Sequence, residues 1–261
     1  MNLCRPDESK SCAACCGLYN VQDARRSTLR NKLERRTTLF RTVPRLPEDI
    51  DNYKTIVRLA EAEVPLEEMI HVCEFVGFLD TDHRVVGCQL HPFAPGNGGV
   101  DLRGLCHYGS MACKAFFCPA WTAIPRRHLN ILSNALQDWH LYGLVISDVD
   151  FVTSLFGLVE ARIRERIDAT RLGRSEASLM FREMISWKDT WAFESPSPLR
   201  RSRYYFKPAS PGGEPSREEN MKRLLDCLGF TFDAPMNTRE AKDAVEQALD
   251  RFARAYHCGC G

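Results

Sequence analysis

Apolar positions recur at helical spacing through much of the second half of the chain. Leu129, Leu132, Leu136 and Trp139 mark one stripe. Val152, Leu155, Phe156, Val159, Ile163 and Ile167 mark another, with Asp148 as a cap near its start. Such stripes bury one face of a helix against a core. Two more helices follow residue 216, and the last is predicted to start at Asn237 or Thr238, with Glu240 near its third position. Ala241, Val245, Ala248, Phe252 and Ala255 fall on one face of it.

The first half reads differently. Asn20 as N-cap and Asp23 in the first turn predict a basic helix that ends near Val43, ahead of Pro44. A second helix follows Pro47 through Ile50, Tyr53, Ile56, Val57 and Ala60, and a short third is predicted from Leu66 to Val72. Glu74–Asp80 and Arg84–Leu90 carry β-branched and aromatic residues around a polar Thr81-Asp82-His83 turn, which predicts a β-hairpin. From His91 to Gly104, Pro92, Pro95, Gly96, Gly98 and Gly99 break regular structure. The expected fold is therefore mainly α with a small β-hairpin. An irregular cysteine-rich metal-binding region, residues 1–122, packs on a helical region, residues 123–261, which contains a Pro/Gly-rich linker near 195–216. No internal repeat is visible.

Composition narrows the function classes. The 261 residues are 44% hydrophobic and 26% charged, as in globular proteins, and the net charge of +1 argues against a general polyanion binder. No run approaches the roughly 18 apolar residues of a membrane span. The N-terminus is polar and lacks a signal-peptide stretch, so a cytoplasmic location is expected. There, twelve cysteines are not read as a disulfide framework.

Their distribution carries the main chemical signal. Cys12-Ala-Ala-Cys15-Cys16, Cys88, Cys106, Cys113 and Cys118 crowd the first 118 residues. Thiolates are natural ligands of zinc and of iron–sulfur clusters. These seven are the candidate metal ligands, whereas the isolated Cys73 and Cys227 read as small buried hydrophobes.

In order and spacing, Cys12-Ala-Ala-Cys15-Cys16, Cys88-Gln-Leu-His91-Pro92 and Cys106-His-Tyr108 through Cys113-Lys-Ala-Phe-Phe-Cys118-Pro119 resemble the zinc- or iron-chelating domain family of CxxCxxCC proteins. The resemblance covers residues 9 to 122 and implies chelation without naming a reaction. Ser9 stands where that family's first cysteine falls, with Cys4 or Cys88 available to complete a set. By cysteine pattern the chain is also similar to flagellin lysine N-methylase, an iron–sulfur enzyme.

Surplus thiols on irregular loops favour a four-iron cluster, 4Fe-4S, because a cube takes thiolates from widely spaced points. Zinc, which wants a closed tetrahedron, is the alternative. His91 and His107 are alternative nitrogen ligands or hydrogen-bonded loop histidines. His257-Cys258-Gly-Cys260 forms a second thiol pair on the tail. The run Arg200–Lys207 and the basic helix bearing Arg25, Arg26, Arg30, Lys32, Arg35 and Arg36 interleave or cluster charge as nucleic-acid binders do, although a solvated face explains them as well. No dinucleotide fingerprint, P-loop, zincin or hydrolase-elbow sequence is present. Three functions follow: a cytosolic metal-binding protein, a metal-dependent redox or lysine methylase-like enzyme, and an interaction or nucleic-acid module. A metal or cluster is the first partner, a protein a further one, and no membrane is involved.

Overall fold

The computed structural model describes residues 3–62, 64–68, 70–173, 176–193, 215–230 and 235–258. Thus most of the Pro/Gly-rich stretch, with the Arg200–Lys207 run, and Cys260 lie outside the described residues. The chain is mainly helical: α1 (Arg26–Arg41), α2 (Pro47–Ala60), α3 (Gly109–Ala115), α4 (Ala120–Ala123), α5 (Arg126–Ala135), α6 (Trp139–Ile146), α7 (Val149–Ile163), α8 (Ala169–Leu172), α9 (Glu176–Thr190), α10 (Arg217–Cys227) and α11 (Pro235–Cys258). Strands β1 (Val76–Phe78) and β2 (Val86–Cys88) pair antiparallel, Val76 opposite Cys88. Two 3₁₀ turns, Ala14–Cys16 and Arg103–Leu105, complete the elements. Among the described residues no single helix is long and apolar enough to cross a membrane.

The chain divides into two compact units. One comprises Met1–Cys118 with Asp138–Gly143, the other Pro119–Gln137 with Leu144–Gly261. In the first, α1 buries Leu29, Leu33 and Phe40 against the hairpin. Phe40, Tyr53 of α2 and Phe75 form an aromatic cluster, with centroids 4.9 Å apart for Phe40–Tyr53 and 5.4 Å for Tyr53–Phe75. Such ring pairs add roughly 0.5–1.5 kcal/mol each beyond the area they bury. Thr37 of α1 accepts the Phe78 backbone N–H at 2.7 Å, which ties the helix to β1. Buried Ser11 does the equivalent for β2: it accepts from Val86 N at 2.6 Å and donates to Val86 O at 2.7 Å.

Three expectations change here. Asn20 is not a helix cap. It is fully buried, and its amide donates to the carbonyls of Glu67 and Ile70 while its oxygen accepts from Glu67 N. That clamp holds residues 66–68 and 70 as bends and a turn, where the sequence predicts the third helix. α1 starts six residues later, at Arg26, behind Asp23, which accepts from Arg25 N and Thr28 Oγ1. The stripe from Leu129 to Trp139 is split, because Asp138 accepts from Leu141 N at 3.0 Å and begins a new helix.

In the second unit, α7 starts at its predicted cap: Asp148 accepts from Phe151 N at 2.9 Å. Phe156, Phe181 and Phe252 from α7, α9 and α11 meet in one core, Phe156 edge-on to Phe181 and Phe181 tilted against Phe252. Buried Lys188 donates to Asp148 at 2.5 Å and to the Cys227 carbonyl at 2.7 Å, a fully desolvated ion pair that needs both partners. Cys227 is fully buried beside it, as the sequence predicts. α10 opens with a complete capping box, Ser216 with Glu219. α11 begins at Pro235, ahead of the predicted Asn237 or Thr238.

Candidate metal centre

The first cysteines sit on a turn pressed into the core. Ala13 and Ala14 are buried, as are Leu18, Tyr19 and Val21, so the turn's path is fixed on both sides. Gly17 ends it in the left-handed region at φ 76°, where a Cβ would lie 2.4 Å from the His71 carbonyl oxygen. That close approach lets Cys73 N donate to Cys16 O at 2.9 Å. On the other side of the turn, Cys12 N donates to Cys4 O at 2.9 Å, and the Cys12 sulfur accepts from Ala14 N at 3.4 Å. Tyr142 pins the neighbouring Leu3 carbonyl at 2.9 Å.

The later cysteines come from separate elements. Cys88 lies on β2, Cys106 just after the second 3₁₀ turn, and Cys113 in α3. The Cys106 and Cys113 sulfurs are 3.5 Å apart. Two thiolates about 2.3 Å from one tetrahedral ion stand about 3.8 Å apart, so this pair is spaced for a shared ion. Cys12, Cys15, Cys16, Cys73, Cys88, Cys106 and Cys113 are reduced thiols. Even so, among the described residues no group of three or more His, Cys, Asp or Glu side chains is arranged to hold a metal ion.

Electrostatics show why bare thiolates are disfavoured there. Desolvation pushes Cys12 well above the usual thiol range, and Cys15, Cys4 and Cys118 add to it. Cys4 is exposed as a residue, yet desolvation of its sulfur, with Cys15 and Cys118, pushes it up to about 11. Cys16 is raised by its hydrogen bond to Cys15, by burial, and by Cys73 and Cys88. The same bond, donated by Cys16, lowers Cys15. Burial and then Cys106 raise Cys88 to about 11, against N–H donors of Leu90 and His91 and the charge of Arg103. Burial, the hydrogen bond with Cys106 and the charges of Cys106 and Cys88 raise Cys113 to about 12. Burial, Cys88 and Cys106 likewise raise Cys73. A bound cation reverses this balance, because each ligating thiol then gives up its proton.

Cys4, offered by the sequence as a substitute where Ser9 stands, lies near Cys12, and Cys73, set apart in the sequence reading, lies near Cys88 and Cys106. Cys73 is buried, as predicted, but it lies among thiols, and the hairpin beginning three residues later is the feature that carries it there. The histidines sit in hydrogen-bonded or stacked positions. His91 Nδ1 accepts from Phe93 N at 3.2 Å, and the His107 ring stacks on His71 with centroids 4.2 Å apart. Cys258 is exposed at the end of α11.

A cleft of about 360 Å³ is lined by the chain neighbours of Cys73 and Cys106, namely Val72, Glu74 and His107, together with Arg58, Glu61, His71 and Tyr108. Its charges are already engaged. Buried Arg36 meets Glu61 at 2.7 Å and Lys32 meets it at 3.7 Å, while Arg58 and His71 meet Glu74. The basic face of α1 is thereby partly neutralised, further by Arg35–Glu61 and Arg30–Glu34.

No family model matches this chain, and no curated protein or solved structure matches it either.

Proposed function

We propose that the first unit is a thiolate metal centre, and that the protein binds metal as its primary activity. The observation that supports this best is the Cys106–Cys113 sulfur pair at 3.5 Å, drawn from two separate elements into a partly buried thiol neighbourhood. The donor set suits soft or borderline metals and excludes magnesium or calcium, which take oxygen ligands. A four-iron cluster is the first form of the proposal, since the unit supplies more thiols than a single ion takes. Zinc is the second, and the 3.5 Å pair favours it: thiolates of a cube bind different irons, whereas these two are spaced for a single ion. The resemblance to the CxxCxxCC proteins belongs to the same proposal, as does a reducing, cytosolic setting in which the thiols stay available.

The cleft lined by the chain neighbours of Cys73 supports a second reading, a metal-dependent enzyme. It offers His71, Glu74 and Tyr108, each within two residues of Cys73 or Cys106 along the chain. A bound cluster would supply electron transfer there. The residues themselves orient: Tyr108 accepts the His71 backbone N–H at 2.9 Å, and Glu74 fixes the His71 ring at 3.2 Å.

The test is anaerobic purification followed by iron, sulfide and zinc analysis and a visible spectrum. A brown protein with equimolar iron and sulfide supports the cluster, and a colourless zinc protein supports the second form. Protein with neither metal, before and after reconstitution, overturns the proposal.

A further inference from the structure

Packing does not account for the place of α3 in the first unit. The helix has seven residues, and isolated helices shorter than roughly 12 residues are marginal in water. None of its described side chains is buried, and Met111 is 81% exposed. Tyr108 before it and Phe116 and Phe117 after it are exposed as well.

Polar and sulfur contacts fasten it instead. Just before the helix starts, Tyr108 Oη accepts the His71 backbone N–H at 2.9 Å. Near its end, Lys114 meets Asp101 at 2.7 Å, a surface ion pair of the kind that adds little. Between these stand the Cys106 and Cys113 sulfurs, 3.5 Å apart. Cys106 is buried in extended backbone after the second 3₁₀ turn, whereas Cys113 is carried by the helix and is half-buried. The sulfurs of a disulfide stand about 2.05 Å apart, so closing this pair takes a movement of about 1.5 Å. Gly109 lies between them at φ 73°, with nothing within 4 Å of the place a Cβ would take, and gives the backbone room to yield.

We propose that Cys106 and Cys113 are a redox couple, a dithiol that hydrogen peroxide converts to an intramolecular disulfide, and that the bond fastens α3 to the buried Cys106 segment. The pair is held in contact before any oxidant arrives. In the reducing setting proposed above, such bonds are transient and redox-sensing. In the first step one sulfur, as thiolate, attacks a peroxide oxygen. The O–O bond breaks, and the departing hydroxide takes a proton to become water. In the second step the other sulfur gives up its proton and attacks the sulfenic sulfur. The S–O bond breaks, and hydroxide leaves with that proton as a second water. Two thiols and one peroxide thus become one disulfide and two waters, with two electrons passing from sulfur to peroxide. A disulfide offers no thiolate, so the closed couple and a metal centre using these sulfurs exclude each other. That consequence rests on the metal-binding reading above; the couple itself does not.

Peptide mapping of the whole chain tests this without any variant that must fold. Tryptic cleavage after Arg103 and Lys114 releases Gly104–Lys114, which holds these two cysteines and no other. Reduced, metal-stripped protein is treated with hydrogen peroxide, alkylated with iodoacetamide under denaturing conditions and digested. The expected peptide carries no alkyl group, and takes two once dithiothreitol has opened it. Alkylation reads the thiols alone, whatever oxygen the exposed Met111 takes up. Amide exchange across α3 should slow roughly tenfold when the bond closes. A peptide alkylated twice after peroxide overturns the couple, as does one that dithiothreitol does not recover, or either cysteine joined to a different one. Unchanged exchange with the bond closed overturns the fastening of α3. Zinc separates the couple from the metal reading: protein that binds zinc when reduced should release it as the peptide closes. Zinc retained with the bond closed overturns the exclusion. If reduced protein binds no zinc, nor iron with sulfide, while the peptide still closes, the metal reading fails and the couple stands.

Discussion

At Gly17 a single hydrogen atom decides how closely the Cys16 turn meets the Cys73 segment. A methyl there would press on the His71 carbonyl at 2.4 Å and would sit at φ 76°. Gly17→Ala should therefore cost about 1–3 kcal/mol from backbone strain alone, and more from the clash. The urea midpoint should fall, and metal affinity should fall further than for an alanine placed at the exposed, uncrowded Gly104. The thiols around that turn make a second statement. Burial and neighbouring cysteines hold most of them protonated at neutral pH, Cys4 and Cys88 at about 11. Loading zinc into weakly buffered protein should release about one proton per ligating thiol, and affinity should drop as pH falls. Metal binding without proton release would place the ion elsewhere.

Glu74 gives the acid limb. Burial works against its charge, but hydrogen bonds from His71 and Arg58 outweigh it and hold the carboxyl at about 2. A carboxylate depressed in the folded state contributes stability fully above its unfolded value of about 4.3, and loses it as pH falls from there towards about 2. Glu74→Gln should flatten acid unfolding in that window. An unchanged acid midpoint would show the contacts to be energetically idle. At Lys188, removing the ammonium strands buried Asp148, and Lys188→Met should destabilise by about 3–5 kcal/mol in chemical denaturation. Adding Asp148→Asn should recover part of that loss.

Among the elements, those with local signals were legible from sequence. α2 has proline at its start and apolar residues at helical spacing, and Ile50, Tyr53 and Val57 are its buried face. The hairpin has a polar turn between β-branched runs, and α7 has its Asp148 cap. Where long-range contacts decide, the sequence misled. Asn20 looks like a cap, but its side chain is spent on Glu67 and Ile70, some fifty residues away, and the third predicted helix gives way to that clamp. The Leu129–Trp139 stripe looked continuous because apolar spacing survives a break. Asp138, a capping residue just before its last member, marks the break. Clustering in sequence picked out seven thiols and the missing family position pointed to Cys4, whereas Cys73 needed the hairpin to bring it near the rest.

At the scale of the whole molecule the two units rest on different physics. The second has aromatic and aliphatic residues from α7, α9, α10 and α11 and a satisfied buried ion pair. In the first, the helix–hairpin core is flanked by irregular segments at residues 3–25 and 89–108, with few regular hydrogen bonds. Metal removal should therefore raise amide hydrogen exchange around Cys12–Gly17 and His91–Cys113, and leave α7 and α11 protected. Equal protection of both regions with and without metal would deny the metal a structural role.

The most direct measurement is metal content with a visible spectrum on anaerobically purified protein, repeated on Cys106→Ser/Cys113→Ser and on Cys227→Ser. The expected result is stoichiometric iron with sulfide, or zinc, in the unsubstituted chain. That content should be reduced in the first variant and unchanged in the second, whose thiol is buried in the other unit. A folded, helical protein that binds neither metal, or one whose metal ignores the Cys106 and Cys113 substitutions, would contradict a thiolate centre at these residues.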